Sequence, residues 1–268
     1  MNRGYRIFVL VFRVLLLLFV FVPIIWGLRT SLAGSNMDLN LIPKQITLKN
    51  YGYVLQNPSF LSGIRNSVIY ALGTIVLLLP IIIPAAYAFS RMRFRGEFLG
   101  KLLLVLPLLP AIAILIPLSR NMNAMGMLNK RIGVILLNVT FQLPFTCWLL
   151  RNFFKSISVS IEEASYIDGC SRLQSIILII LPSALTGITS IMVYSFISSW
   201  LSYLIPYTLI TSMNLKSISQ TLLGYQGQFG TDYTRLTAAS LLTIVPPLTV
   251  FCFFQKWFIA GLFGMTSK

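Results

Sequence analysis

Histidine is absent from this chain of 268 residues, which removes the commonest metal ligand and the commonest general base together. Acidic residues number only six, against 21 basic ones. The three cysteines, Cys147, Cys170 and Cys252, stand far apart with no CxxC spacing. They read as free thiols, and neither a metal site nor a disulfide framework is supported. Charged residues make up 10% of the chain, where a soluble domain carries roughly 25%. Apolar residues fill the gap: 56% of the chain is hydrophobic and the mean hydropathy is +0.83. Such a chain is solvated mostly by lipid and reads as an integral membrane protein. Its net charge of +15 is scattered over loops between apolar runs, with no basic stripe and no interleaved aromatic platform. That distribution argues against nucleic acid and suits anionic headgroups and membrane orientation.

A membrane-crossing helix needs about 20 mainly apolar residues. Six stretches qualify: Phe8 to Leu28, Ser67 to Phe89, Leu102 to Leu118, Ile132 to Leu150, Leu185 to Ile205 and Leu236 to Phe258. The first is too long for a secretory signal, contains Arg13 and lacks a clear small-x-small cleavage site, so it reads as an uncleaved anchor. Six spans put both termini on one side. If that side is the cytoplasm, it holds 12 of the 21 basic residues, among them the dense turn of Arg91, Arg93, Arg95 and Lys101. The longer outer loops hold the remainder, a modest bias in the direction orientation requires. The longest outer loop, roughly Arg29 to Arg65, has turn residues and no span-length apolar run; a segment that rests on the membrane surface or touches an external partner, and a solvated linker, are equal readings. A second, Met213 to Asp232, is rich in Ser, Gln and Gly. Asn66, at the start of the second span, reads as a cap.

Three of the six acids, Glu162, Glu163 and Asp168, share one short loop on the cytoplasmic side. Residues from about Ser158 to Ile167 predict a short helix, with Ser158 or Ser160 as N-cap and the two glutamates in the first turn, where carboxylates meet free N–H groups. Gly169 is placed to end that helix in a left-handed conformation. A second short helix is predicted from Leu173 to Ile180, broken by Pro182. The product is a helix–Gly–helix elbow across the membrane face, and the small Ala164 and Ser165 let another protein approach closely. Asp168 compensates Arg172 one turn on, or is a plain solvated charge.

The run Glu163-Ala164-Ser165, three residues, Gly169, nine residues, Ile179-Ile180-Leu181-Pro182 resembles the "EAA" loop of the permease subunits of bacterial binding-protein-dependent ABC importers. Ser165 replaces the usual Ala. Pro84 to Phe89 with Arg91 to Gly96, Pro144-Phe145, Trp148 to Arg151, and Gln255 to Phe258 with Gly261-Leu262 extend the similarity to carbohydrate-type permeases, specifically the shorter partner of a maltose- or glycerol-phosphate-type pair. The resemblance implies an all-α integral membrane fold of six spans with a cytoplasmic coupling helix. Residues 1–62 would be an anchor helix and outer loop, 63–260 the importer's transmembrane domain and 261–268 a cytoplasmic tail. It further implies that Glu162, Glu163, Ala164, Ser165, Asp168, Gly169 and Pro182 couple the chain to an ATPase, with Ala164 and Ser165 in that subunit's groove. Expected partners are a second homologous permease in a heterodimer, two ATP-binding subunits, an external solute-binding protein and membrane lipid, in a bacterial inner membrane. The chain itself is expected to be non-enzymatic and free of cofactors and metals: it has no GxxxxGK[ST] loop, so ATP and magnesium belong to the partner ATPase.

One stretch departs from the family. Trp200-Leu201-Ser202-Tyr203 stands where Trp-Asn-Glu-Phe is common, and the missing acid puts in doubt any carry-over of solute contacts there. The span centres carry no clear ionisable residue, so an ion-coupled mechanism gains no support. They do carry neutral hydrogen-bonding groups. Asn138 and Gln142 share a helix face, as do Ser195, Ser199 and Tyr203 with Trp200 beside them. This set suits a hydroxylated solute such as an oligosaccharide, glycoside or polyol, or simply packs helices together. A stand-alone secondary transporter would need an inverted repeat, a membrane enzyme an acidic or histidine cluster at the membrane face, and neither is evident; an ABC permease for a non-carbohydrate solute stays open.

Overall fold

The structure, a computed structural model, describes residues 3–35, 40–91, 110–227 and 230–263. Helix is what a lipid-solvated chain must form, because each backbone N–H and C=O has to be satisfied within its own segment. The long helices are α1 (Arg3–Ser31), α3 (Pro58–Arg91), α5 (Arg131–Ser156) and α12 (Tyr233–Phe263). Between them lie α2 (Lys49–Gln56), α4 (Ala111–Ala124), α6 (Val159–Ile167), α7 (Arg172–Ser175), a π-helical turn (Ile176–Ile180), α8 (Leu181–Ser183), α9 (Leu185–Leu201), α10 (Leu204–Leu209) and α11 (Ile218–Leu222). Two strands of two residues each, β1 (Gln226–Gly227) and β2 (Gly230–Thr231), pair antiparallel ahead of α12. Among the described residues four helices are long and apolar enough to cross a membrane, and α7–α8 with α9, bent by 70°, make a fifth candidate. The expected span Leu102 to Leu118 lies partly outside the described residues, as do Arg93, Arg95 and Lys101 of the basic turn. Its end falls in α4, which continues to Ala124.

Residues 1–61 with 221–245 form one compact unit and 62–220 with 246–268 another. In the first, α1 is apolar and mostly exposed from Tyr5 to Leu28, as a lipid-facing helix is, and buried only at its end, at Arg29 and Ser31. The segment between α1 and α3 is more than a linker. The Asn50 amide donates to the carbonyls of Ser31 and Ala33 at 2.8 and 2.9 Å, and Ser31 and Tyr51 share a hydroxyl bond of 2.6 Å, tying α2 to the end of α1.

In the second unit, Leu78, Ile82 and Ala86 of α3 pack with Leu149, Leu150 and Phe154 of α5 and with Ile180 and Ile191. Helices α5 and α9 approach so closely at Gly187 that a Cβ there would stand 2.4 Å from the Phe153 ring. Small residues at helix interfaces allow this kind of approach in membranes. Asn66 is not a cap. It is buried well inside α3, where its Nδ2 donates to the carbonyls of Asn214 and Lys216 at 2.8 and 3.0 Å and its Oδ1 accepts from Arg131. A short amide satisfies two loop carbonyls that have no helical partner, which explains its place there better than capping does.

The fifth expected span, Leu185 to Ile205, is interrupted. Helix α9 stops at Leu201, Ser202 turns extended (φ −61°, ψ 119°), and α10 begins at Leu204. Pro206 supplies the cause: it has no N–H for the Ser202 carbonyl, and its ring would clash with that carbonyl in a continuous helix. Pro182 likewise does not stop its helix where expected. The π turn precedes it, with the Leu181 N–H reaching back to Ile176, and the break falls at Ala184. A wider turn ahead of proline makes room for the ring that an α turn would crowd.

Candidate functional site

The elbow forms from local signals. Ser158 caps α6, its hydroxyl accepting from the Ser160 N–H at 3.3 Å. Gly169 takes φ +87° with no atom near the place of a Cβ, so its need is conformational and not one of space. Ser171 and Gln174 then open α7 with reciprocal capping bonds.

The two glutamates of α6 have opposite environments. Glu163 is exposed, and so are Ala164, Asp168, Gly169 and Pro182. Glu162 is buried at 5% exposure. Its Oε2 accepts from Arg91 Nε at 2.8 Å, and its Oε1 accepts from the hydroxyls of Tyr87 and, at 3.0 Å, Tyr166. Arg91 also donates through Nη2 to the Ile157 carbonyl at 2.9 Å. The Arg172 guanidinium lies 5.9 Å over the Tyr87 ring. Burial pushes the Glu162 carboxyl up, but hydrogen bonds from Tyr87, Tyr166 and Arg91 and the Arg91 charge outweigh it, holding the group below the usual carboxylate range.

Ser165 differs from its expected place in a partner's groove. Its side chain is buried, donating to the Glu162 carbonyl at 2.6 Å and accepting from the Ser175 hydroxyl at 2.7 Å, so it braces α6 against α7. Among the described residues no ion pair joins Asp168 to Arg172; Asp168 is the C-cap of α6. Tyr87, Arg91, Tyr166 and Ser175 were not singled out from the sequence as parts of this site. Their one signal was the presence of Tyr87 and Arg91 within the Pro84 to Gly96 similarity.

The second group lies between α5 and α9. Asn138, Gln142, Ser195, Ser199 and Trp200 are all buried, and Gln142 Nε2 donates to Ser199 Oγ at 2.9 Å. Asn138 Nδ2, Gln142 Oε1 and Ser195 Oγ have no hydrogen-bond partner among the described residues. Tyr203 does not extend the Ser195–Ser199 line on one helix. It sits in the break after α9, its ring 5.1 Å from that of Tyr207. There Ser202 and Tyr203 line an open cleft of about 360 Å³ with Leu115, Phe141 and Leu204. Among the described residues no group of His, Cys, Asp and Glu is placed to hold a metal.

Comparison with known proteins adds the following. The family described as "Binding-protein-dependent transport system inner membrane component" matches residues 78–263. The diacetylchitobiose uptake system permease protein NgcG of Streptomyces coelicolor is 30% identical, over 88% of this chain and 80% of its own. The inner membrane ABC transporter permease protein YcjP of Escherichia coli is 31% identical, over 92% of this chain and 91% of its own. A chain from the crystal structure of a bacterial ABC transporter involved in the import of the acidic polysaccharide alginate superposes with a TM-score of 0.82 at 28% identity, covering 96% of this chain and 99% of that one.

Proposed function

Since this chain belongs to the family of binding-protein-dependent transport system inner membrane components, we propose that it passes a sugar or sugar-like solute through the membrane as one permease of an ATP-driven importer. It is a non-catalytic membrane subunit. The elbow carries this reading: α6 turns Glu163 and Ala164 outward while Glu162 and Ser165 hold the helix from within. An exposed acid beside small and apolar residues, with Ile167 86% exposed, suits a groove with a basic rim on a separate ATP-binding subunit, where Glu163 makes a charge-assisted contact. Gly169 sets the angle at the end of α6, which Asp168 caps, and Pro182 lies just ahead of the bend at Ala184.

Two ATP-binding subunits, each with bound ATP and magnesium, would close on one another and pull such elbows on this chain and on a second, similar permease. That motion opens the spans outward to an external binding protein, and hydrolysis resets them. The assembly sits in a bacterial inner membrane with both termini cytoplasmic, residues 1–62 as anchor and outer loop, 63–260 as the transmembrane domain and 261–268 as a tail. The sugar class is supported by relatives named for diacetylchitobiose and alginate. It is supported also by the neutral amides and hydroxyls of Asn138, Gln142, Ser195 and Ser199, with the half-buried Tyr203 as aromatic surface near the buried Trp200.

The test is affinity purification of the chain from its native membrane in mild detergent. An ATP-binding subunit and a second permease copurify, and Glu163→Ala weakens the ATPase attachment by about 1.5–3 kcal/mol, tenfold or more in affinity. A chain recovered alone or as a homo-oligomer, indifferent to Glu163→Ala, would defeat the reading.

A further inference from the structure

We propose that Glu162 is a positioning residue for coupling, bolting α6 to the cytoplasmic end of α3 so that Glu163 is presented outward at a fixed angle. The inference rests on the coupling reading given above. It starts from a carboxylate that costs a great deal to bury unless it is paired and hydrogen-bonded. Glu162 is both, and its partners come from separate pieces of chain. Tyr87 and Arg91 stand on α3, 75 and 71 residues earlier in sequence, and Tyr166 on α6 itself. Arg91 holds the α5–α6 junction through the Ile157 carbonyl, and Arg151 of α5 donates to the Phe89 carbonyl of α3 at 3.1 Å. Arg172 of α7 reaches the same cluster across the Tyr87 ring. The charged and titratable groups facing Glu162 are therefore Tyr87 and Arg91 from α3, Tyr166 from α6 and Arg172 from α7.

This network divides the work of the two glutamates. Adjacent residues on a helix point about 100° apart, so a buried Glu162 turns Glu163 away from the bolt. A force applied to Glu163 from outside reaches α3 and α5 directly, because α6 is fastened to both. On the other side of Gly169 the path runs through α7, the π turn and a 70° bend into α9. Glu162 never touches the partner in this scheme; it acts through the orientation of its neighbour.

The test uses the full transport complex purified from membranes, carrying Glu162→Gln or Glu162→Ala. The first keeps the shape and one acceptor and removes the charge; the second removes the bolt. Hydrogen exchange over residues 159–167 accelerates about tenfold or more in both, more in the alanine variant. Exchange over residues 185–201 stays unchanged. ATP turnover by the complex falls with its KM for ATP unaltered, since the nucleotide is held in another subunit. Unchanged exchange over 159–167 in Glu162→Ala overturns the proposal. Equal acceleration over 159–167 and 185–201 also overturns it, because Glu162 would then serve stability at large. Glu163→Ala, run in parallel, separates the two ideas: an undisturbed ATPase attachment there removes the coupling reading, whereas a rigid α6 in Glu162→Ala removes only the bolt.

Discussion

The elbow and the α5–α9 interface both bury polar atoms, and they treat them in opposite ways. At the elbow one carboxylate meets an arginine and two tyrosine hydroxyls, and the arginine spends a further N–H on a junction carbonyl. Between α5 and α9 a side-chain bond joins Gln142 to Ser199, while three polar atoms nearby go without a partner among the described residues. Full satisfaction makes a joint of one geometry, because any displacement leaves a charge or a donor stranded. Partial satisfaction costs stability but keeps hydrogen-bonding capacity for another occupant or another arrangement of the helices.

The sharpest way to break the contrast is Arg91→Ala. It leaves Glu162 buried without its counter-ion and is expected to cost about 3–5 kcal/mol, read as a large fall in the thermal midpoint of the detergent-solubilised chain. Gly169→Val comes next. A β-branched residue forced to positive φ costs about 1–3 kcal/mol, and since no atom crowds the site, the loss should appear as a misdirected elbow. ATPase activity should then uncouple from uptake while membrane insertion is normal; normal uptake would remove Gly169 from the coupling machinery. Asn138→Leu probes the other side with the opposite sign. Removing an unpartnered buried amide should raise stability by about 1–2 kcal/mol, and a fall instead would mean that Asn138 is satisfied in the folded chain. Ser165→Ala is the mildest, about 0.5–1 kcal/mol for the brace between α6 and α7, again read in the thermal midpoint.

Acidity offers a graded version of the first test. The folded carboxyl of Glu162 is held below the usual range of about 4.3, so folding favours its charged form. That contribution is complete above the unfolded value and is lost as pH falls through the lower folded value. The midpoint attributable to this group should stay level from neutral pH to about 4.3 and decline only below that. Glu162→Gln should lack that part of the decline.

The features legible in the sequence were those that act over a few residues. Ser158 as one of two candidate caps, Gly169 as left-handed terminator and most of the membrane-length apolar runs depend on local chain chemistry, and the described residues hold the cap, the terminator and four or five of the six runs. The partners of Glu162 were not legible, because no periodicity links a residue to others more than 70 positions away. The inward turn of Ser165 was hidden for a related reason: the family position is filled by Ala, so a hydroxyl with a mate in Ser175 had no precedent in the motif. Asn66 was misread as a cap because a polar residue at the edge of an apolar run looks like one until the helix proves to begin at Pro58. Pro206 was an available signal for the break after α9, and the length of the apolar run masked it.

The π turn at Ile176–Ile180 fixes something that no single substitution alters. In genetic terms it is one residue more than an α-helix would hold in the same stretch. Deleting Ile177 would let the segment close into ordinary helix and leave Ser199 facing Gln142 as before, because one wide turn absorbs one extra residue without turning its flanks. A residue removed from α9 itself would instead turn everything beyond it by about 100°, and Ser199 would lose Gln142 although every hydrogen-bonding side chain were still present. A deletion scan across 176–195 should therefore find the π turn more tolerant of lost length than α9, marking it as the place where the chain keeps its slack.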